Sequence, residues 1–454
     1  MRRPTLAMRW LMLALCAVFA AAQPAVAQEI LRDSETEKLF ADMSKPLIQA
    51  AQLDPKNVKI VLINDPEINA FVAGGQVVYI HTGLITAADN ANQVQGVIAH
   101  ELGHVAGGHA IRDDGAKKAT GISILSLVLG GLAIAAGAGE AGMGAMALGT
   151  QVAQSGYLSF TRAQETSADL AGASYLTKSG ISGKGSIDFF KKLQNQEYRL
   201  AIYATDSYAR THPLSSERIA SLTQIYSKDP AWNRPTDPAL EARFQRVRAK
   251  LIGFISEKQS VLRTYPASDT SVPARYARAY AYHRLGEDEK ALVEANALLA
   301  TAPKDPFYLE LKGQLLLESG KPAAALDPLR ESVAVAPDQP MIQAMLGHAL
   351  IATEKNDLLP EAEKVLKASI GRDNDQPFAW YQLGTIYERK GDPARAALAT
   401  AERYNLEGNA KFALASANAA LRGIPAGTPD YLRAQDIAMV SKNEVDRKKG
   451  KKDK

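Results

Sequence analysis

His100 and His104 stand four residues apart around a carboxylate, in His100-Glu101-Leu102-Gly103-His104. On an α-helix a four-residue step is about 40° of rotation and one turn of rise, so both imidazoles can meet one metal ion. Glu101, about 100° round from His100, would bring its carboxylate beside an open coordination position. There it could take a proton from a metal-activated water, which is the chemistry of metal-assisted hydrolysis. So short a pattern also arises by chance, with both histidines on an ordinary polar face. The flanks favour a packed helix: Val94, Val97, Ile98 and Val105 supply an apolar back, and Gly103 and Gly107-Gly108 allow close approach.

A catalytic metal site needs a third protein ligand. His109 is the nearest candidate, but a third histidine in the HExxH-plus-six pattern would fall at Ala110. Continued as helix, His109 lies about 180° from His100 and faces away, so it is assigned to structure or surface. Glu165 and Asp169, one helical turn apart in Glu165-Thr166-Ser167-Ala168-Asp169, form the other candidate. Glu165 could bind the metal while Asp169 orients a ligand imidazole. Equally, they could be a surface pair of repelling carboxylates that needs a compensating cation.

The elements that must position these groups are legible in outline. Residues 30–53 read as an amphipathic helix, and 58–63 as a strand closed by Asn64-Asp65-Pro66. Residues 69–85 read as a hairpin with Gly74-Gly75 as its turn and Val77 to His81 as its second strand. A helix is expected from Asn92 through His109, and another over 161–176. Gly121 to Gly139 is apolar, Gly/Ala-rich and uncharged; helices packed near the site are the preferred reading and membrane contact the alternative.

The C-terminal part repeats. Ala291, Ala325, Ala362 and Ala396 recur at steps of 34, 37 and 34 residues, and Gly286, Gly320 and Gly391 share one position. Small residues at a spacing of about 34 are the tetratricopeptide signature, best seen in Trp380, Leu383, Gly384, Tyr387 and Ala396. Three extra residues in the third copy are expected near 356–360. Such hairpins stack into a superhelix with a concave binding groove. The expected domains are a leader at 1–27, a catalytic domain at 28–255, repeats at 270–421 and a flexible basic tail at 440–454.

Arg2, Arg3 and Arg9 lead a short apolar run, 10–22, and Ala25-Val26-Ala27 fits a small-residue cleavage site. Residues 1–27 therefore read as a secretory signal rather than an uncleaved anchor, for which the run is short. Cys16 is the only cysteine, so disulfides and thiolate ligands are excluded from the exported chain. The net charge of +4 is concentrated in the leader and in residues 442–454, which hold seven basic and three acidic residues. The body carries no basic footprint for nucleic acid, and the tail is read as a solvated end, with contact to anionic lipid as the minor alternative.

Taken together, HELGH, the ETSAD segment, Thr211-His212-Pro213 with Arg218, and the preceding Asn69-Ala70-Phe71 and Gly74-Gly75 resemble the HtpX/Ste-type zinc metallopeptidase family. The leader and repeats bring the chain nearest that family's periplasmic BepA-like branch. The resemblance spans about 30–421. It implies an α+β fold, a mainly helical gluzincin-type metallopeptidase domain with a small β-sheet followed by an all-α repeat solenoid. It implies one zinc ion per chain on His100, His104 and Glu165, with Glu101 as general base and acid. Asp169 would be the outer partner of a ligand, and His212 a fourth ligand that holds the enzyme latent, or an oxyanion group in an active geometry. The implied function is periplasmic endopeptidase action on unfolded or misassembled proteins, with the repeats docking outer-membrane assembly machinery. The alternative is a repeat-based chaperone or assembly factor whose peptidase is normally latent. An extended substrate could add to the strand at 76–81.

Overall fold

A computed structural model describes residues 29–109, 162–200, 212 and 215–452. The expected leader and the apolar stretch 121–139 lie outside the described residues. The chain is mainly helical, with one four-stranded sheet at the start and a stack of helical hairpins after it.

The sheet has strands β1 (Glu29–Leu31), β2 (Lys59–Asn64), β3 (Ala70–Ala73) and β4 (Val77–His81), in the order β1-β2-β4-β3. β1 and β2 are antiparallel, β2 and β4 parallel, and β3 and β4 antiparallel, with Ala70 opposite Ile80 and Ala73 opposite Val77. Gly74 and Gly75 turn the β3–β4 hairpin at φ +62° and +94°, which L side chains rarely adopt. β4, expected to take an added substrate strand, is instead interior. It returns beside β2, which occupies its second edge, so among the described residues β3 is the open edge on that side.

The first expected helix is shorter than its apolar pattern. It runs Ser34–Ala50 (α1), because Asp33 caps it by accepting from the Thr36 N–H, and the residues before the cap pair as β1. After the short α2 (Thr82–Ala87), α3 (Ala91–Gly107) is capped by Asn90 and is buried at every position from Ala91 to Val105. A helix apolar or buried all round belongs in a core. The helix over 162–179 (α4) crosses it closely: a Cβ at Gly103 would meet the Ala168 carbonyl at 2.6 Å, and one at Gly172 the Ala99 carbonyl at 3.0 Å. α5 (Lys184–Leu200), α6 (Ser216–Tyr226) and α7 (Pro238–Ile255) complete this unit. Its core joins Leu39, Phe40, Val97, Leu102, Phe189, Phe190, Leu222 and Phe244.

From α9 (Val272–Arg284), which follows the short α8 (Lys258–Thr264), helices pack in pairs, as the repeat spacing predicts. Ala291, Ala325 and Ala362 are fully buried where the paired helices cross. Gly313 and Gly347 leave room on the first helices for Leu329 and Leu366 of the second. The three additional residues of the third copy form a 3-10 turn, Asn356–Leu358. Beyond Leu421 a further helix, Pro429–Lys452, buries Ala434, Ile437 and Ser441 on the stack. Residues 440–448, expected as a loose basic end, continue that helix. No proline or glycine interrupts it before Gly450, and Glu444 pairs with Lys448 at 2.8 Å.

Candidate metal centre

The α3–α4 crossing sets the site. Because Gly103 admits α4 against α3, the carboxylates on α4 reach the imidazoles of α3. His100 Nε2 and His104 Nε2 lie 3.1 Å apart. Glu165 places Oε2 3.4 Å from the first and Oε1 3.3 Å from the second. His212 brings Nδ1 to 3.1 Å from Glu165 Oε1 and 3.3 Å from His100 Nε2. All four ligand atoms lie within 4.8 Å of one another, and His100, Glu165 and His212 are buried.

Which nitrogen of each ring faces the cluster follows from what the other one meets. His212 Nε2 lies 3.2 Å from the Ala70 carbonyl, which can only accept, so Nε2 carries the proton and Nδ1 offers a lone pair. His100 Nδ1 lies 3.0 Å from Asp169 Oδ1, which leaves its Nε2 to the cluster in the same way. Arg218 fixes Asp169 with a two-pronged contact, Nε to Oδ2 at 2.8 Å and Nη2 to Oδ1 at 2.9 Å, and reaches Glu165 Oε2 at 3.1 Å.

The electrostatics suit a cation. Burial raises the Glu165 carboxyl, but hydrogen bonds from His100, His104 and His212 outweigh it and hold the group well below the usual carboxylate range. Burial lowers His100, yet Asp169 and Glu165 hold it up at about 10, so the cluster binds positive charge there. His104 is lowered, first by burial and then by the neighbouring His100 charge, against the raising contact with Glu165. Glu101 is fully buried, neither of its oxygens has a hydrogen-bond partner among the described residues, and His212 Nε2 lies 3.6 Å from Oε1. Such a carboxylate is costly unless something completes it. Three imidazoles and one carboxylate around one point, with an unpartnered carboxylate alongside, fit a four-coordinate divalent metal.

The structure thus gathers His100, Glu101, His104, Glu165, Asp169 and His212 in one place. His109 differs from the expected direction: its Nδ1 is 2.8 Å from His104 Nδ1. Helical winding ends at Gly107, and Gly108 at φ +65° turns the chain back. Arg218 had no role assigned from sequence. Its signal was the pair Glu165 and Asp169, whose repulsion demands a nearby cation.

Residues 31–226 match the sequence profile of Peptidase family M48. The chain is 25% identical to the beta-barrel assembly-enhancing protease of Escherichia coli (strain K12), over 82% of this chain and 76% of that one. It is 24% identical to the protein of the same name from Yersinia pestis, over the same shares. Metalloprotease YcaL of Escherichia coli (strain K12) is 28% identical over 41% of this chain and 68% of its own. The solved structure of YrrB, described as a TPR protein with an unusual peptide-binding site, overlies 39% of this chain and 92% of its own at 20% identity and a TM-score of 0.32. The solenoid reading rests on the repeats' own geometry.

Proposed function

For a chain that carries a peptidase family M48 domain and is a metalloprotease, we propose that the metal is zinc, held by His100, His104 and Glu165. Bound there, zinc would supply Lewis-acid polarisation of a peptide carbonyl and a water acidified towards neutrality. Glu101 takes the proton of the attacking water and returns it to the leaving amine. Its burial without a hydrogen-bond partner among the described residues is the observation that carries this role. Asp169, clamped by Arg218, holds His100 in the tautomer that points Nε2 inward. An extended substrate pairs along the open edge of β3, whose Ala70 carbonyl already touches His212, and backbone pairing of that kind recognises unfolded chain rather than a sequence.

The proposed role is removal of misassembled outer-membrane proteins in the periplasm. It is supported by the arginine-led leader, by the names of the relatives and by the repeats. Among the described residues no helix is long and apolar enough to cross a membrane. The repeats face the catalytic unit across a cavity of about 510 Å³, lined by Leu62, Leu251 and Phe254 on one side and by Met341, Met345 and Phe378 on the other. A mostly apolar, concave surface of this kind suits protein substrates or an assembly partner.

A second reading has one observation in its favour. His212 Nδ1 converges on the same point as the three proposed ligands, so four donors leave no position for water and the peptidase rests latent while the repeats bind. Glu101→Gln tests the first reading. Cleavage of an unfolded outer-membrane protein should fall by about 10²–10⁴-fold with zinc retained; undiminished cleavage sinks it. His212→Ala tests the second: higher activity reveals latency, and lost activity assigns His212 to the oxyanion.

A further inference from the structure

We propose that His109 is a positioning residue for the metal centre: its imidazole accepts a hydrogen bond from His104 Nδ1 and so fixes the tautomer and aim of that ligand. The proposal rests on the reading of His104 as a metal ligand.

The backbone builds the contact deliberately. α3 stops at Gly107, and Gly108 takes the left-handed conformation at φ +65°. The Gly108 N–H then donates to the Val105 carbonyl and the His109 N–H to the His104 carbonyl, each at 3.0 Å, which closes the helix end. The closure folds His109 back over the last turn, where the two rings meet nearly edge to face, 5.0 Å between centroids. Gly107 makes room for it: a Cβ there would lie 2.5 Å from His109 Nε2.

The chemistry of the contact has one consistent assignment. A neutral imidazole has one donor and one acceptor nitrogen. His104 Nε2 faces the cluster, 3.3 Å from Glu165 and 3.1 Å from His100, so as a ligand it must keep its lone pair. The proton then sits on Nδ1 and is donated across 2.8 Å to His109 Nδ1. Each of the three imidazoles in the cluster therefore has its own outer acceptor: Asp169 for His100, the Ala70 carbonyl for His212, and His109 for His104. Outer partners of this kind typically contribute 10–100-fold to metal affinity.

The test is zinc affinity of the metal-stripped full chain, measured by competition with a chromogenic chelator, with circular dichroism to verify folding. His109→Phe should bind zinc about 10–100-fold more weakly. His109→Asn should recover to within about threefold of the parent, because its Oδ1 replaces the acceptor Nδ1. Gly107→Ala should weaken zinc binding as His109→Phe does, although alanine favours a helix over glycine, because its methyl displaces the ring. If His109→Phe fails to fold, the other two variants decide. The proposal is overturned if Gly107→Ala and a folded His109→Phe bind zinc like the parent, or if His109→Asn shows no recovery. His104→Ala separates the two levels. Unchanged affinity there refutes His104 as ligand, whereas a large loss there beside parent-like His109 variants refutes only the positioning role.

Discussion

Two of the buried charge clusters among the described residues differ in kind, one at the metal centre and one where the catalytic unit meets the repeats. At the junction Lys250 pairs with Asp33, and Arg246 pairs with Glu35 and, at 2.7 Å, with Asp305. Tyr276 donates to Glu35 at 2.9 Å, and Ser34 to Glu310 at 2.9 Å. The junction supplies its own cations, so it holds two units together without help. The metal centre does not. There Arg218 serves Asp169 and the back of Glu165, while among the described residues Glu101 has no hydrogen-bond partner, and imidazole nitrogens face one another at 3.1 and 3.3 Å. With a metal bound, each of those nitrogens would turn its lone pair to the same ion. Pairing that is complete welds a structure, and pairing left incomplete around one point prepares it for an incoming cation.

That contrast breaks most visibly under metal. Adding zinc back to the stripped chain at about a thousand times its Kd should stabilise it by about 4 kcal/mol, read as a rise of about 10 °C in the thermal midpoint. No rise would mean that the centre, like the junction, is already complete. Arg246→Ala attacks the other cluster. It leaves the buried Glu35 and the half-buried Asp305 without their guanidinium and should cost about 3 kcal/mol in urea unfolding. Zinc affinity should stay within about twofold, since the two clusters share no residue. A parallel loss of zinc would show that they act as one network.

What the sequence made legible was what is local. Residue type and turn chemistry were enough for the Gly74-Gly75 hairpin, and spacing was enough for the repeats, because each hairpin contacts its neighbour in order. The HELGH helix was readable for the same reason. His109 was misdirected because extrapolated winding cannot foresee that Gly108, four residues after His104, turns left-handed. The interior position of β4 depends on its crossing back to pair parallel with β2, beyond the hairpin that the turn residues mark. Glu165 could be suspected from its spacing with Asp169, but its reach depends on Gly103 meeting Ala168 across two helices. The demand for a cation near Asp169 was visible; nothing local selected Arg218 from the 53 lysines and arginines.

Glu310 is the junction's one exception, and it gives the smallest and sharpest effect. Its Oε2 has no hydrogen-bond partner among the described residues. Burial raises its pKa, Lys250 lowers it and Asp33 raises it again, leaving it at about 8 against an ordinary 4.5. Below pH 4.5 the folded and unfolded chains both hold the proton. Between 4.5 and about 8 only the folded chain holds it, so stability falls with rising pH by about 1.4 kcal/mol per unit. Above about 8 both forms are charged and the loss is complete. Glu310→Gln removes the titration, so its stability relative to the parent should climb by about that slope between pH 5.5 and 7.5. Urea unfolding of both zinc-loaded chains across that window measures it. A difference that stays flat with pH would mean that Glu310 is charged and compensated like Asp33 and Glu35, and that the junction has no exception.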